Sequence, residues 1–301
     1  MSSGWDILGL GSATVDDFYY VPHFPIQDTK LEILSSERQG GGLTATALVT
    51  AARMGVKCAY GGVLGEDPIS KWIELDLERE GIDVTLVTHR EDAHPIHAHV
   101  IVEQQNNTRT ILYSINGKTG ADDEFPSEAA IRASKILFID DFGISGNIRA
   151  ATIARTFDVP VVADFEHMQS KPLLGLVDHL IVSVRYASAV TGINAPQEAL
   201  KALWRPTCKL AAVTCGTEGC YFTTDGETVL YQPAFAVDAI DTTGCGDVFH
   251  GAYAASLVWG WPVEERIRFA AASAALKATQ RGGRLGIPNR VQVETFLQAD
   301  Q

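Results

Sequence analysis

The apolar residues of this chain occur in two kinds of segment. Short apolar runs bounded by Gly, Pro or charge are typical of strands buried on both faces of a parallel sheet. Longer segments with apolar residues at every third or fourth position predict helices, several of which end at Gly or Pro. The predicted strands are 7–10, 58–63, 136–139, 159–163, 180–184 and 210–213, and the clearest helices are 43–54, 69–80, 148–157 and 195–203.

The alternation of strands and helices predicts an α/β fold with three layers, in which a doubly wound, mainly parallel sheet lies between two layers of helices. Four further segments interrupt this alternation, because their polar and apolar residues alternate and turn residues connect them. We expect them to form a small β-sheet lid over the carboxyl edge of the main sheet, where α/β proteins bind ligands. These segments are 17–20, 31–37, 97–104 and 108–113, with a turn at Asn106 and Asn107 before the last.

Composition limits the classes of function. A chain of 301 residues that is 46% hydrophobic can bury a large core. The net charge of −13 and the pI near 5.0 argue against nucleic acid or an anionic membrane as the main partner. Five cysteines without paired C-x-x-C spacing favour reduced thiols. With no basic, apolar leader and no apolar run of about 18 residues, we expect a soluble, cytoplasmic protein.

The strongest chemical signal is the segment 241–247, which reads Asp-Thr-Thr-Gly-Cys-Gly-Asp and leads into a helix of small residues. Gly244 and Gly246 permit a tight turn, and the first N–H groups of a helix are free to face an anion. Asp247 is placed to accept a hydroxyl proton while the amides of Gly244, Cys245 and Gly246 neutralise a transferring phosphate. Taken alone, the segment also fits an ordinary Gly-rich loop whose Asp caps a helix.

A second motif, in residues 40–55 and 61–67, favours the phosphate-binding interpretation over the ordinary loop. The two motifs together resemble the PfkB, or ribokinase-like, carbohydrate kinases, and the resemblance extends over nearly the whole chain. Segments 232–235, 249–251 and 282–288 are most similar to the branch of sulfofructose kinases and ketose kinases. The resemblance implies one ribokinase-like domain over 1–301, with lid strands inserted at about 14–38 and 92–118.

The resemblance also implies an activity, which is transfer of the γ-phosphate of ATP to a primary hydroxyl of a small sugar, with Mg²⁺ as cofactor. Asp247 would be the base, and Asp16 would bind sugar hydroxyls, although a turn or strand-end cap explains Asp16 equally well from the sequence alone. Thr46 stands where the family usually has Asn. The implied substrate-binding residues are Asp16, Lys30, Gly41, Gly42, Thr46 and Asp247.

The nucleotide site is also implied by resemblance. Thr214, Gly216 and Gly219 lie in a strand and glycine turn similar to those beside the ATP phosphates, and a plain β-turn is the alternative. Ala274 and Gly283 belong to segment 271–283, which resembles one side of the adenine pocket. Close packing between helices explains its alanines equally well.

Two positions concern cations. Asp241 and Thr243 align with residues that hold a monovalent cation in many members, so K⁺ is a further expected cofactor. The family's Asn-x-x-Glu motif is replaced here by Ser183 and Tyr186, which puts direct protein help to Mg²⁺ in doubt. Magnesium would then be held mainly by ATP oxygens and water.

Substrate class depends on positive charge. Phe142, preceded by Asp140 and Asp141, stands where the phosphosugar and sulfosugar kinases have an anion-binding Arg. Lys30 and Arg109 are the remaining lid cations, and such residues more often face solvent. We therefore favour an uncharged ketohexose or pentose over a sulfofructose or phosphosugar. The sequence also leaves open a nucleoside kinase and a non-catalytic sugar or nucleotide sensor.

Histidines and exposed strand edges complete the predictions. His97 and His99 share one face of a strand, and His94 is close by. No Cys or carboxylate at ligand spacing completes a metal site nearby, so we interpret all three as lid-surface or substrate-contact residues. Because unpaired lid edges invite pairing between subunits, we expect a homodimer through the lid sheet.

Overall fold

The computed structural model describes residues 4–105 and 108–299, and the turn predicted at Asn106 and Asn107 lies outside them. In chain order the strands are β1 Ile7–Leu10, β2 Thr14–Val21, β3 Ser35–Gly41, β4 Cys58–Tyr60, β5 Gly62–Leu64, β6 Thr88–His89, β7 Ile96–Glu103, β8 Thr108–Ser114, β9 Gly120–Ala121, β10 Ile136–Ile139, β11 Val161–Phe165, β12 His179–Ser183, β13 Leu210–Thr214, β14 Cys220–Thr223 and β15 Leu230–Gln232. The helices are α1 Leu43–Arg53, α2 Pro68–Arg79, α3 Glu128–Arg132, α4 Ile144–Thr156, α5 Val184–Thr191, α6 Pro196–Leu203, α7 Cys245–Val258, α8 Val263–Ala278 and α9 Arg290–Ala299.

The apolar runs form the centre of an eight-stranded sheet with the order β15-β14-β13-β12-β11-β10-β1-β4. Strands from β4 to β13 in this order pair in parallel, as predicted. Strands β14 and β15 extend the sheet with antiparallel pairing, and the sequence did not predict them. Strand β14 has only three consecutive apolar residues, and β15 has no buried residue, so neither shows the longer apolar run of the central strands.

Helices cover both faces of this sheet, which confirms the predicted three layers. Successive residues of β10 point to opposite sides. Ile136 and Phe138 belong to a core cluster with α1, α7 and α8, whereas Leu137 and Ile139 belong to a cluster with α4, α5 and α6. Both clusters consist of side chains that are almost fully buried.

The lid is a separate four-stranded sheet with the order β3-β2-β7-β8. Strands β2 and β7 are parallel, and the other two pairs are antiparallel. The sequence placed the second lid strand at 31–37, but β3 begins later and ends at Gly41, directly before α1. Phe18, Tyr20 and Val100 form a small core of the lid's own.

The apolar run 58–63 is divided at Gly61 rather than forming one strand. Strand β4 joins the main sheet, whereas β5 pairs with β6 and β9 in a third, three-stranded sheet. A Cβ on Gly61 would lie 2.9 Å from a methyl carbon of Leu10, so the bend packs closely against the end of β1.

The parallel strands end at one edge, and polar residues follow or close several of them: Ser12, Asp140, Asp164, Ser183 and Thr214. This is the edge at which a doubly wound sheet binds ligands. Within the part of the chain that the structure describes, no helix is long and apolar enough to cross a membrane.

Candidate active site

Helix α7 begins directly after a glycine turn. Gly244 has a φ of 75°, and a Cβ there would lie 2.9 Å from the carbonyl oxygen of Gly283. A Cβ on Gly246 would meet no described atom within 4 Å, so the space above the helix start is open. The amide of Cys245 already donates to the Thr242 carbonyl oxygen at 3.3 Å. The later amides of the first turn are therefore the better anion donors.

Asp247 lies in this first helical turn. Burial raises the pKa of its carboxyl well above the ordinary value, the charge of Glu166 adds to the rise, and Arg284 opposes it. The charges of Asp16 and Asp140 also raise it. These residues come from distant parts of the sequence and meet at one edge of the sheet. A carboxylate with raised proton affinity suits a general base.

Asp16 belongs to lid strand β2 and accepts a hydrogen bond on Oδ1 from the Thr14 hydroxyl at 3.0 Å. A Cβ on Gly41 would lie 2.5 Å from Asp16 Oδ2, so only glycine leaves room for this carboxylate. Gly42 has a φ of 91°, and a Cβ there would lie 2.6 Å from the Ser12 carbonyl oxygen. The two glycines thus allow the chain to pass directly beside Asp16.

Arg284, which is not among the site residues predicted from the sequence, supports this glycine turn. The residue is 5% exposed. It donates to the Gly41 carbonyl oxygen at 2.7 Å, to Thr46 Oγ1 at 3.2 Å and to Asp76 Oδ2 at 2.9 Å. A Cβ on Gly40 would lie 2.1 Å from Arg284 Nη1, so a larger residue there would have to displace the guanidinium. Thr46 is buried, and its hydroxyl is engaged by Arg284.

Asp140, also missed as a site residue, joins the end of β1 to the start of α1. Its Oδ2 accepts from the amide and hydroxyl of Ser12 at 2.7 and 2.9 Å and from Thr44 Oγ1 at 3.0 Å. Its Oδ1 accepts from the Phe142 amide at 2.8 Å. Burial raises the pKa of this fully buried carboxyl to about 7. Asp140 therefore fixes the loops around Asp16.

Two further carboxylates lie at the carboxyl end of β11. Burial raises the pKa of Asp164 well above the ordinary value, with Asp247 the next cause, and burial also raises the pKa of Glu166. His250 Nδ1 lies 3.2 Å from Asp164 Oδ2. This crowding of negative groups beside Asp247 is the charge pattern of a site completed by a cation.

Ser183 and Tyr186 have structural roles. The hydroxyl oxygen of Ser183 accepts from the Tyr186 amide at 3.2 Å and caps α5. Tyr186 is 1% exposed, and its hydroxyl lies 2.6 Å from that of Ser170. Neither residue supplies a carboxylate, whereas Asp164 and Glu166 at the end of the neighbouring strand do.

The predicted nucleotide residues lie on two elements. Thr214 ends β13, and Gly216 and Gly219 flank a short 3₁₀ turn with φ values of 59° and 92°. Ala274 belongs to α8 and packs partly against the core, whereas Gly283 lies against the Gly244 turn. Ala274 thus lies on α8 and Gly283 in the segment that follows this helix.

Asp241 ties the turn to its surroundings. Its Oδ1 accepts from the amide and hydroxyl of Thr243 at 2.8 and 2.7 Å, and its Oδ2 accepts from the Gly282 amide at 2.9 Å. Its carbonyl oxygen accepts from Lys277 Nζ at 3.0 Å. The lid reaches the same residue, because Arg109 Nη1 lies 3.3 Å from Asp241 Oδ1.

Lys30 and Arg109, the two lid cations that could bind an anionic substrate, lie in different surroundings. Lys30 is exposed in the loop between β2 and β3, and Arg109 is paired with Asp241. Phe142 is half-buried, with its ring edge-to-face against His167 at 5.8 Å between centroids. The uncharged ring thus stands at the end of β10, where an anion-binding Arg was considered.

The histidine interpretation needs a correction. Asp17, on the strand next to His97 and His99, completes a group whose ligand atoms all lie within 4.8 Å of one another. Its Oδ2 lies 2.8 Å from His97 Nε2, and Arg38 pairs with both of its oxygens at 2.7 and 2.8 Å. A carboxylate is therefore nearby, on the face of β2 opposite Asp16. The sequence spacing cannot show it, since Asp17 lies 80 residues from His97.

Comparison with known proteins gives consistent results. A family model described as pfkB family carbohydrate kinase matches residues 6–290. The chain is 30% identical over 298 residues to the ribokinase of Haemophilus influenzae, covering 96% of this chain and 97% of that protein. It is 27% identical over 287 residues to fructokinase-1 of Oryza sativa subsp. japonica, covering 86% and 88%.

Solved structures share the fold. The structure of Arabidopsis thaliana ribokinase complexed with ribose and ATP matches with a TM-score of 0.85 at 24% identity, covering 98% of this chain and 99% of that one. The ribokinase of Thermotoga maritima matches with a TM-score of 0.83 at 24% identity, with the same coverage. These matches confirm the predicted architecture.

Proposed function

The chain belongs to the pfkB family of carbohydrate kinases and is an ATP-dependent sugar kinase of the ribokinase type, and from this premise we propose that its acceptor is the primary hydroxyl of an uncharged ketohexose or pentose. The relatives include a ribokinase and a fructokinase, and one matching structure contains ribose and ATP. The proposal rests on one observation, which is that Asp247 stands at the glycine-built start of α7 among the charges of Asp16, Glu166 and Arg284.

In the proposed reaction the Asp247 carboxylate takes the proton of the sugar hydroxyl as the hydroxyl oxygen attacks the γ-phosphorus of ATP. The bond from phosphorus to the bridging oxygen breaks, and ADP leaves with the electron pair. The amides of Gly244, Cys245 and Gly246 donate to the phosphoryl oxygens. Cys245 contributes least, because its N–H already faces Thr242.

Sugar binding is assigned to the lid side of the cleft. The Asp16 carboxylate accepts from adjacent sugar hydroxyls, and Gly41 and Gly42 let the sugar approach the backbone. Thr46 acts through its bond to Arg284, which holds the turn in place. Lys30, in the exposed loop of the lid, is the remaining proposed contact.

The absence of charge on the proposed sugar follows from electrostatics. Four acidic residues, Asp16, Asp140, Glu166 and Asp247, lie close together in this part of the cleft, and the guanidinium of Arg284 is already bonded to Asp76 and the glycine turn. A phosphosugar or sulfosugar would be repelled here. Neutral hydroxyls, in contrast, donate well to carboxylates.

Magnesium fits this donor set. The carboxylate oxygens of Asp164 and Glu166 are the ligand type that Mg²⁺ prefers. Burial raises the pKa of both carboxyls, and neighbouring carboxylates add to the rise. When bound, Mg²⁺ neutralises phosphate charge. His250 beside Asp164 would orient that carboxylate.

The nucleotide is proposed to lie beside the end of β13. Thr214, Gly216 and Gly219 would face its phosphates, and a Cβ on Gly216 would meet no described atom within 4 Å. Ala274 and Gly283 would border the adenine. We also propose a cytoplasmic location, because all five cysteines are free thiols.

The deciding experiment measures ADP release from Mg-ATP with ribose, fructose, tagatose, adenosine and sulfofructose. We expect turnover on a neutral sugar, and a loss of about 1000-fold in kcat for Asp247→Asn, because a positioned base contributes on this order. Calorimetry should show ATP affinity within about threefold of wild type, since the residue acts on the sugar hydroxyl. Asp158→Asn, an exposed carboxylate, is the matched control.

Each remaining outcome points to a different function. Wild-type turnover by Asp247→Asn would contradict the catalytic assignment. Activity confined to sulfofructose would overturn the neutral substrate, and activity confined to adenosine would indicate a nucleoside kinase. Retained ATP binding with no turnover on any compound would favour a sensor.

A further inference from the structure

The resemblance places a monovalent cation at Asp241 and Thr243, but this chain places its own cation there. Lys277, in the last turn of α8, has no exposed surface. Its Nζ donates to the carbonyl oxygen of Asp241 at 3.0 Å and to that of Gln280 at 3.4 Å. The ammonium thus occupies a position at which backbone carbonyl oxygens converge beside the glycine turn.

The oxygens that K⁺ would need are already acceptors. The Asp241 carbonyl accepts from Lys277, and its two carboxylate oxygens accept from the amides of Thr243 and Gly282 at 2.8 and 2.9 Å. The Arg109 guanidinium adds another positive charge at 3.3 Å. A further cation would have to displace these donors and would be repelled by both side chains, so the donor set does not fit K⁺.

The surroundings suit a charged amine. Burial lowers the pKa of Lys277, whereas Cys245, Asp241 and Asp247 act in the opposite direction. A buried charge is tolerated when it is hydrogen-bonded and lies near opposite charge, and Lys277 has two carbonyl acceptors with Asp241 and Asp247 nearby. The charge of Lys277 also interacts electrostatically with Asp247, the proposed base.

We propose that the Lys277 ammonium replaces K⁺ in this kinase, holding the turn of residues 241–247 in the form that presents its amides and Asp247 to the substrates. Phosphoryl transfer then needs no monovalent cation from solution. Because the amine is covalently attached, it is present at every salt concentration. The inference rests on the proposed function of this turn.

The test compares wild type, Lys277→Met and Lys277→Gln in KCl and in tetramethylammonium chloride at equal ionic strength. Wild type should turn over at the same rate in both salts, within about twofold. In tetramethylammonium chloride the kcat of each variant should be about 100-fold below that of wild type, as expected when a preorganised electrostatic group is removed. In KCl the kcat of each variant should rise by about tenfold or more, because K⁺ can enter the space that the amine has left. Lys209→Met, an exposed lysine, should behave as wild type.

A second measurement does not depend on activity. Thermal unfolding of the two variants should shift upward with increasing K⁺, because an ion that binds only the folded state stabilises it. Wild type and Lys209→Met should show no difference between the two salts. This arm keeps the inference testable if the substrate panel fails.

The failures are distinguishable. Absence of turnover on every sugar contradicts the proposed function, whereas K⁺-dependent unfolding of the Lys277 variants would still support the ammonium's role. Stimulation of wild type by K⁺ of about fivefold or more would overturn the inference, as would full activity of both variants in tetramethylammonium. Equal thermal shifts of wild type and variants with K⁺ would also overturn it.

Discussion

Arg284 shows how one buried side chain connects separate parts of the cleft. Its three bonds join the glycine turn at Gly41, helix α1 at Thr46 and helix α2 at Asp76, and its amide donates to Gln39 Oε1 at 3.1 Å. Its charge interacts with Asp16, the proposed sugar-binding carboxylate, and with Asp247, the proposed base. A buried guanidinium with this set of partners defines the geometry around the sugar.

Replacing it tests that role. Arg284→Met should raise the sugar KM by about tenfold. The substitution displaces the glycine turn and leaves Asp76 unpaired, which weakens the sugar site by about the free energy of one hydrogen bond. The free energy of unfolding should fall by about 3 kcal/mol, because a buried pair is broken. Steady-state kinetics and urea unfolding measure both effects.

The KM for ATP provides the internal comparison and should change little. Arg132→Met, which removes an exposed arginine on α3, is the control for lost charge. Unchanged sugar KM and unchanged stability in Arg284→Met would refute the supporting role.

Contiguity in sequence decides which site residues are predictable. Gly244 and Asp247 lie in one short motif, so local chemistry is enough to select them, whereas Gly41 and Gly42 are selected by the resemblance of a second short motif. Arg284 bonds a carbonyl 243 residues away, and no spacing rule reaches across that distance. The same limit conceals Asp140, whose Oδ2 accepts from Ser12 and Thr44, about 100 residues earlier in the chain.

At the scale of elements, α7 is fixed to the sheet through a polar chain behind the site. Arg266 on α8 donates to the Tyr253 hydroxyl at 2.9 Å, and that hydroxyl lies 2.9 Å from His179 Nδ1 on β12. All three residues are buried. Because α7 begins at the glycine turn, this polar chain helps to set the position of Asp247.

The same polar chain makes stability depend on pH. Burial lowers the pKa of His179 to about 3, whereas an unfolded histidine titrates near 6.5. The unfolded protein binds the extra proton between these values, so the free energy of unfolding falls as the pH decreases below about 6.5. We expect a loss on the order of 2 kcal/mol between pH 7.5 and 5 from this residue.

Urea unfolding of wild type and His179→Asn at both pH values measures the effect. The asparagine keeps an acceptor for Tyr253 but does not titrate. Its loss of stability between the two pH values should be smaller by that amount. An identical pH dependence in both proteins would rule out His179 as the source.

Elements with a strong apolar pattern are the ones the sequence predicts. The strands at 7–10 and 136–139 are confirmed to the residue, and α1 differs from its prediction only at its last residue. Strand β14 is missed because it has only three consecutive apolar residues, and β15 because it lies at the sheet's edge with no buried residue. The run at 58–63 is divided because Gly61 bends the chain between two sheets, which periodicity does not report.

For the whole molecule we propose a homodimer through the lid. Strand β8 is an edge of the lid sheet, and every residue in it is exposed. Leu112 and Tyr113 are 56% and 62% exposed, which is a large apolar surface on a strand that pairs only with β7. Such edges are usually covered by another chain or protected by charge.

Leu112→Glu should weaken this association at least about tenfold, because a charge would have to enter an apolar contact. Light scattering should give wild type twice the 32.5 kDa of one chain and give the variant a lower mass at the same concentration. Leu75→Glu, on the exposed face of α2, controls for the added charge. A monomeric wild type, or an unaltered mass for Leu112→Glu, would contradict the lid dimer.

The long-range bonds of Arg284 also have a consequence for synthesis. The sugar turn is made early by the ribosome, but its supporting guanidinium emerges some 243 residues later. Until then Asp76 and the buried hydroxyl of Thr46 lack this partner, and the turn lacks its brace. Contacts so distant in sequence form late in folding. The sugar site can therefore form only after the chain has been translated and folded through residue 284. A shorter nascent chain has no complete pocket and binds no sugar.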